Sequence, residues 1–70
     1  MVERLIVRCD RRGVWRVQPE GEARLLSEHG SETEAERAAA RHAVEIGAHE
    51  ILVHDRYDRV HRATLTVGGR

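Results

Sequence analysis

SETEAERAAARHAVEIG, residues 31–47, decides the fold of this chain, because a start signal, a helical stripe and a stop signal agree within it. Ser31 carries the short side-chain oxygen that can accept from an unpaired N–H of a first helical turn, and Glu34, three residues on, completes a capping box. Ala35, Ala38, Ala39, His42, Ala43 and Ile46 recur at helical spacing and gather on one face, with Ala40 on the far side of the wheel. Gly47 can take the left-handed conformation that closes a helix. The spacing predicts a helix over Glu32–Ile46, and it is the one helix in the sequence.

On either side the pattern reads as strand. Arg4–Cys9 alternates, with Leu5, Val7 and Cys9 on one face and Arg4, Ile6 and Arg8 on the other. Asp10-Arg11-Arg12-Gly13 is a turn, and Val14–Gln18 returns. Pro19-Glu20-Gly21-Glu22 turns again, and Ala23–Ser27 reads as a short third strand. Beyond Gly47, Glu50–His54 is a strand, Asp55–Arg59 a turn and Val60–Val67 the last strand, with Gly68-Gly69-Arg70 a flexible tail. The order β-β-(β)-α-β-β predicts an α+β fold, a single antiparallel-rich sheet with the helix packed on one face, in one domain over residues 1–67. The two hairpins resemble each other at an offset of 46 residues: Leu5-Ile6-Val7 answers Ile51-Leu52-Val53, Val14 answers Val60, and Arg16 answers Arg62. The repeat reads either as pseudo-symmetric arms flanking the helix or as a chance likeness between short aliphatic strands.

Seventy residues lie near the lower limit for a chain that must build its own core, and a helix offering mostly Ala buries little area. Self-association is the commonest remedy. Cys9 is the lone cysteine, so neither an internal disulfide nor a cysteine-based zinc site can form. The apolar run near Met1 is too short for a signal peptide, and no stretch approaches the roughly 20 apolar residues of a membrane span. A reduced, cytoplasmic protein is expected. Net charge is zero but segregated: residues 1–19 carry five Arg against Glu3 and Asp10, residues 20–36 carry six Glu against Arg24, and residues 51–70 turn basic again.

The strand Trp15-Arg16-Val17, the cap Ser31-x-x-Glu34-Ala35, the alanines at 39 and 43, and Gly47-Ala48-x-Glu50-x-x-Val53-His54 occur in an order that resembles a family of small bacterial proteins, domain of unknown function 2188. The resemblance covers about residues 13–62. Two departures stand out. The family's last hairpin usually turns on Asp-Gly, where this chain has Asp58-Arg59, and Val14 separates Gly13 from Trp15. The resemblance implies the fold and carries no activity.

Four groups of residues have chemistry to weigh. His54, Asp55, Asp58 and His61 would juxtapose two imidazoles and a carboxylate if the last hairpin paired symmetrically about its loop, but no spacing matches an established metal motif, and a solvated polar loop is expected. Cys9 lacks a local base that could make it a nucleophile, so it reads as a small apolar residue near a strand end. His42 faces the sheet from within the Ala stripe and needs a polar partner: a carbonyl, a strand residue or solvent. Arg4, Arg8, Arg16 and Arg62 share strand parity and, flanked by Trp15 and Tyr57, could line a nucleic-acid face, but zero net charge and only two aromatics favour a solvated arginine face. No phosphate-cradling loop, paired-carboxylate site or dinucleotide fingerprint is present, so catalytic, cofactor and metal residues are all expected to be absent.

A helix about 10 Å wide covers roughly half of a sheet face built from strands about 4.8 Å apart. The other face would stay open, leaving Ile6, Leu26, Leu52 and Trp15 on exposed sheet or along an edge. The sequence therefore predicts a non-enzymatic binding module that forms a homodimer through its sheet. The alternative is a nucleic-acid-binding accessory protein using the arginine face.

Overall fold

In the computed structural model, which describes residues 3–57 and 59–63, six elements follow one another. They are β1 (Arg4–Cys9), β2 (Trp15–Pro19), β3 (Ser27–His29), α1 (Glu32–Ile46), β4 (Glu50–His54) and β5 (Val60–Ala63). The fold is α+β, with five strands ordered β3-β2-β1-β4-β5 and the helix packed on the sheet. Three of the four strand pairings are antiparallel, and β1 and β4, at the centre, run parallel.

The helix has the predicted ends. The Ser31 hydroxyl accepts from the Glu34 N–H at 3.2 Å, from an extended backbone, and Gly47 closes the last turn at φ 78°. Its N–H donates to the Ala43 carbonyl, so the left-handed residue satisfies an otherwise orphaned acceptor. Glu32 and Glu34 in the first turn face the positive end of the helix dipole.

The parallel pairing accounts for the Leu5-Ile6-Val7 and Ile51-Leu52-Val53 part of the sequence repeat, and not for the matches drawn between the returning strands. Leu5 lies beside Ile51, Ile6 beside Leu52 and Val7 beside Val53, so the 46-residue offset is the register of β1 on β4. Each hairpin then sends its second strand outward, β2 to one side and β5 to the other.

Strand boundaries differ from the sequence reading in two places. β2 runs Trp15–Pro19, taking Pro19 out of the expected turn. The Glu20 N–H donates to the Arg4 carbonyl at 3.0 Å, so the Pro19 nitrogen points the other way, past the end of β3, where no ladder bond is required. The third strand is Ser27–His29 rather than Ala23–Ser27, because the connection back to the start of β2 uses residues 20–26. The expected continuation of β5 to Val67 and the tail at 68–70 lie outside the described residues.

The core occupies one face of the sheet. Leu5, Val7, Trp15, Val17, Ile51 and Val53 meet Ala35, Ala39, Ala43 and Ala48. Small helix residues let α1 sit close to the sheet, and each isobutyl or indole below it is correspondingly well enclosed. Two expectations are corrected here. Trp15 is only 4% exposed and lies under the helix, not on open sheet. Leu26 and Ala40 also pack at the core margin, Ala40 because the contact is wider than a single line of helix positions. Ile6 and Leu52 do lie on the opposite face, which no described element covers.

Candidate functional site

The open face of the sheet is set by alternation and register. It carries Arg4, Ile6 and Arg8 from β1, Arg16 and Gln18 from β2, Glu50, Leu52 and His54 from β4, and Val60 and Arg62 from β5. All four arginines singled out by parity therefore share a face. Trp15, with opposite parity, does not join them.

Most of that positive charge is already paired. Arg4 bonds to Glu50 and reaches Glu20 at 3.1 Å, and Arg62 reaches the other oxygen of Glu50 at 3.2 Å. The hydrogen bond from Arg4 holds the Glu50 carboxyl below its usual range, and Glu50 and then Glu20 raise the Arg4 guanidinium in turn. Arg16 lies 3.2 Å from Glu28 and 3.6 Å from Asp10, close enough for charge attraction though its Nε is not aligned for a hydrogen bond. Arg8 has Arg16 and His54 as cross-strand neighbours. At the centre Ile6, Leu52 and Val60 line a shallow apolar groove with Gln18 and Glu20 at its rim, and Val60 is 52% exposed.

The His54–His61 juxtaposition that symmetric pairing would have given does not form. His61 pairs with Val53 and His54 with Val60, so the two imidazoles point to opposite faces. Asp55 is engaged in the loop, where its carboxylate accepts from the N–H groups of Tyr57 and Arg59, and Asp58 lies outside the described residues. Tyr57 is exposed, with the Arg59 guanidinium 5.4 Å from its ring centroid.

His61 meets different partners. Its Nε2 lies 3.8 Å from an oxygen of Glu32 and 3.8 Å from an oxygen of Glu36, and one donor atom from each of the three falls within 4.8 Å of the others. Burial, and then the Glu32 carboxylate, push the Glu36 carboxyl upward, while His61 opposes them. Sequence reasoning missed this grouping. Its one visible trace is the one-turn spacing of Glu32 and Glu36; the third member depends on a strand register.

His42 finds the strand partner it needs. Its Nε2 is 3.2 Å from the Ser27 hydroxyl, which is also 2.8 Å from the His29 ring, and Glu45 sits 3.6 Å from its Nδ1. The His42–Ser27 contact ties the edge strand β3 to α1, and Glu45 reaches His42 from within the helix. The Cys9 thiol approaches the Asp10 carbonyl at 3.5 Å and its side chain packs on the core. Among the described residues no helix is long and apolar enough to cross a membrane.

A family model described as an uncharacterized protein conserved in bacteria, DUF2188, matches residues 5–67. No curated protein and no solved structure matches the chain.

Proposed function

The chain belongs to the DUF2188 family of bacterial proteins, and from the surface it carries we propose a non-enzymatic, cytoplasmic interaction module that pairs with a second copy through the uncovered face of its sheet. The observation that carries this reading is the apolar centre of that face. Ile6 and Leu52 sit on adjacent central strands, Val60 extends the patch to the edge, and no described element packs over them. Apolar surface of this kind on a small domain marks a contact surface.

The rim suits a second copy. Arg4, Arg16 and Arg62 alternate with Glu20, Glu28 and Glu50, so a two-fold arrangement can bring unlike charges together from identical surfaces. A stable interface buries about 800 Å² per partner, about a sixth of the 4861 Å² of accessible surface. A free thiol at Cys9 suits a reducing compartment. Nucleic acid draws less support, since three of the four arginines already face carboxylates and Trp15 lies beneath the helix.

Sedimentation equilibrium at micromolar concentration is expected to give about twice the 8.0 kDa chain mass. Leu52→Glu is expected to return the protein to one chain while leaving its circular dichroism unchanged. A single-chain mass for the parent protein, with a melting temperature that does not rise with concentration, would overturn the reading. Retention of a duplex at about 50 mM salt by the parent protein would favour the nucleic-acid alternative.

A further inference from the structure

We propose that Glu32, Glu36 and His61 bind a divalent first-row transition ion between the N-terminal half of α1 and strand β5.

The first reason is placement. His61 stands opposite Val53 as Val17 stands opposite Val7, the β1 residue beside Val53, and both point to the helix side of the sheet. Alternation calls for an apolar side chain there, and Val17 supplies one. His61 instead presents an imidazole to two carboxylates on the helix. Helix and strand thus each give donors to one point, which separates this grouping from an acidic patch on a single element.

The second reason is that the helix does not itself require both acids. Glu32 is in the first turn, where the helix dipole favours a carboxylate. Glu36 is one turn further on, past the reach of that effect. As an i,i+4 pair of like charges, the two weaken the helix unless something positive lies between them. A protonated His61 balances one of the two charges. A divalent ion with a neutral imidazole balances both.

The third reason is geometry. Zinc–nitrogen and zinc–oxygen distances of about 2.0–2.2 Å in a tetrahedral set place neighbouring donor atoms about 3.4 Å apart. The two separations from His61 Nε2 are 3.8 Å and all three donor atoms lie within 4.8 Å of one another, so side-chain rotations bring the set to that spacing. Side-chain exposures of 50% for His61, 37% for Glu32 and 35% for Glu36 leave room for that motion and for entry of the ion.

One imidazole with two carboxylates selects for ions such as Zn²⁺ or Mn²⁺; Mg²⁺ and Ca²⁺ prefer oxygen donors throughout. Three protein donors leave at least one coordination position for water. Glu32 also borders the groove formed with Trp15, Ser31, Asp55 and Tyr57, which lies beside the site.

Zn²⁺ alone is the probe. Titration of the full chain, followed by calorimetry, is expected to show one saturable equivalent per chain, with a rise in melting temperature. His61→Ala and Glu36→Gln are each expected to weaken binding by at least about tenfold, the scale for losing even an outer partner of a metal. His54→Ala, on the opposite face, is expected to bind as the parent does. Circular dichroism establishes that each variant remains folded, and the glutamine variant preserves side-chain volume at its position. Absence of a saturable equivalent overturns the proposal, as does unchanged binding by both His61→Ala and Glu36→Gln, or a loss in His54→Ala equal to that in His61→Ala.

Discussion

The hairpin β1–β2 and the hairpin β4–β5 are built on the same turn and end in different places. In the first, the Asp10 carboxylate accepts from the N–H groups of Arg12 at 2.8 Å and Val14 at 3.0 Å, and the Asp10 N–H donates to the Val14 carbonyl at 2.9 Å. In the second, the Asp55 carboxylate accepts from the N–H groups of Tyr57 at 2.9 Å and Arg59 at 3.0 Å, and the Asp55 N–H donates to the Arg59 carbonyl at 2.9 Å. The strands these loops return differ sharply. β2 has β3 on its far side and α1 above it, and buries Trp15, Val17 and Pro19. β5 is the last strand of the sheet, and Val60, His61 and Arg62 are exposed. A local turn specifies a reversal, while neighbours decide whether the returning strand serves the core or the surface. Charged and polar residues on β5 also suit an edge that must resist unwanted strand pairing.

The largest effect expected from that difference is between two helix-side positions, 15 on β2 and 61 on β5. Trp15→Ala removes the buried indole beneath the helix and is expected to cost about 3–5 kcal/mol, enough to unfold much of the population. His61→Ala without metal is expected to change stability by less than about 0.5 kcal/mol, as at other exposed sites. Urea unfolding of both variants in chelator decides it. Comparable losses would mean that β5 is as much a part of the core as β2.

Next is the seat of the helix. Ala39 is fully buried against the sheet, so Ala39→Leu forces α1 away and is expected to cost about 1–3 kcal/mol. Val44→Leu, on the solvent side, is expected to stay within about 0.5 kcal/mol. Equal sensitivity at 39 and 44 would displace the helix face assigned here. Ser31→Ala removes the acceptor for the Glu34 N–H and is expected to cost about 1 kcal/mol by thermal melt. An unchanged melt would place the cap elsewhere.

The parts of the fold legible in the sequence are those whose cause is local. Ser31, Gly47 and the Ala stripe announce α1, and the alternation in Arg4–Cys9 announces β1, because each signal lies within a few residues of its effect. The repeat of Leu5-Ile6-Val7 in Ile51-Leu52-Val53 announced two hairpins, but nothing in either segment states that they pair with each other in parallel. Trp15 was readable from its own neighbour: alternation with Arg16 puts the two on opposite faces, and grouping both on one surface gave the aromatic more weight than the parity. His61 depended on one residue of register. Symmetric pairing about the last loop sets His54 opposite His61, whereas the Asp55 turn sets it opposite Val60, and a slip of one residue moves every side chain of the strand to the other face. The Glu32–Glu36–His61 grouping follows from that register and could not be read without it.

The smallest expected effect tests the shared turn itself. In the folded chain the Asp10 carboxyl is lowered by the Val14 N–H first and then by Arg12, and the Asp55 carboxyl by the Arg59 N–H and then by Tyr57. A depressed folded value means that the unfolded chain binds the proton more readily. The stabilisation is therefore complete above the ordinary aspartate value of about 3.9 and is lost as pH falls through the lower folded value. Asp10→Asn and Asp55→Asn keep the shape and remove the charge, so each is expected to destabilise at neutral pH and to flatten the acid limb of a stability–pH curve. Hydrogen exchange separates the two hairpins. With Asp10→Asn, faster exchange should reach the buried amides of β2, because that loop leads into the strand beneath the helix. With Asp55→Asn it should stop at Tyr57, Arg59 and β5, because an edge strand can open without disturbing β1 or α1. Loss of protection in β2 on replacing Asp55 would show that the edge hairpin and the core hairpin open together. The turn would then be where the whole sheet is fastened, rather than a device used twice for separate ends.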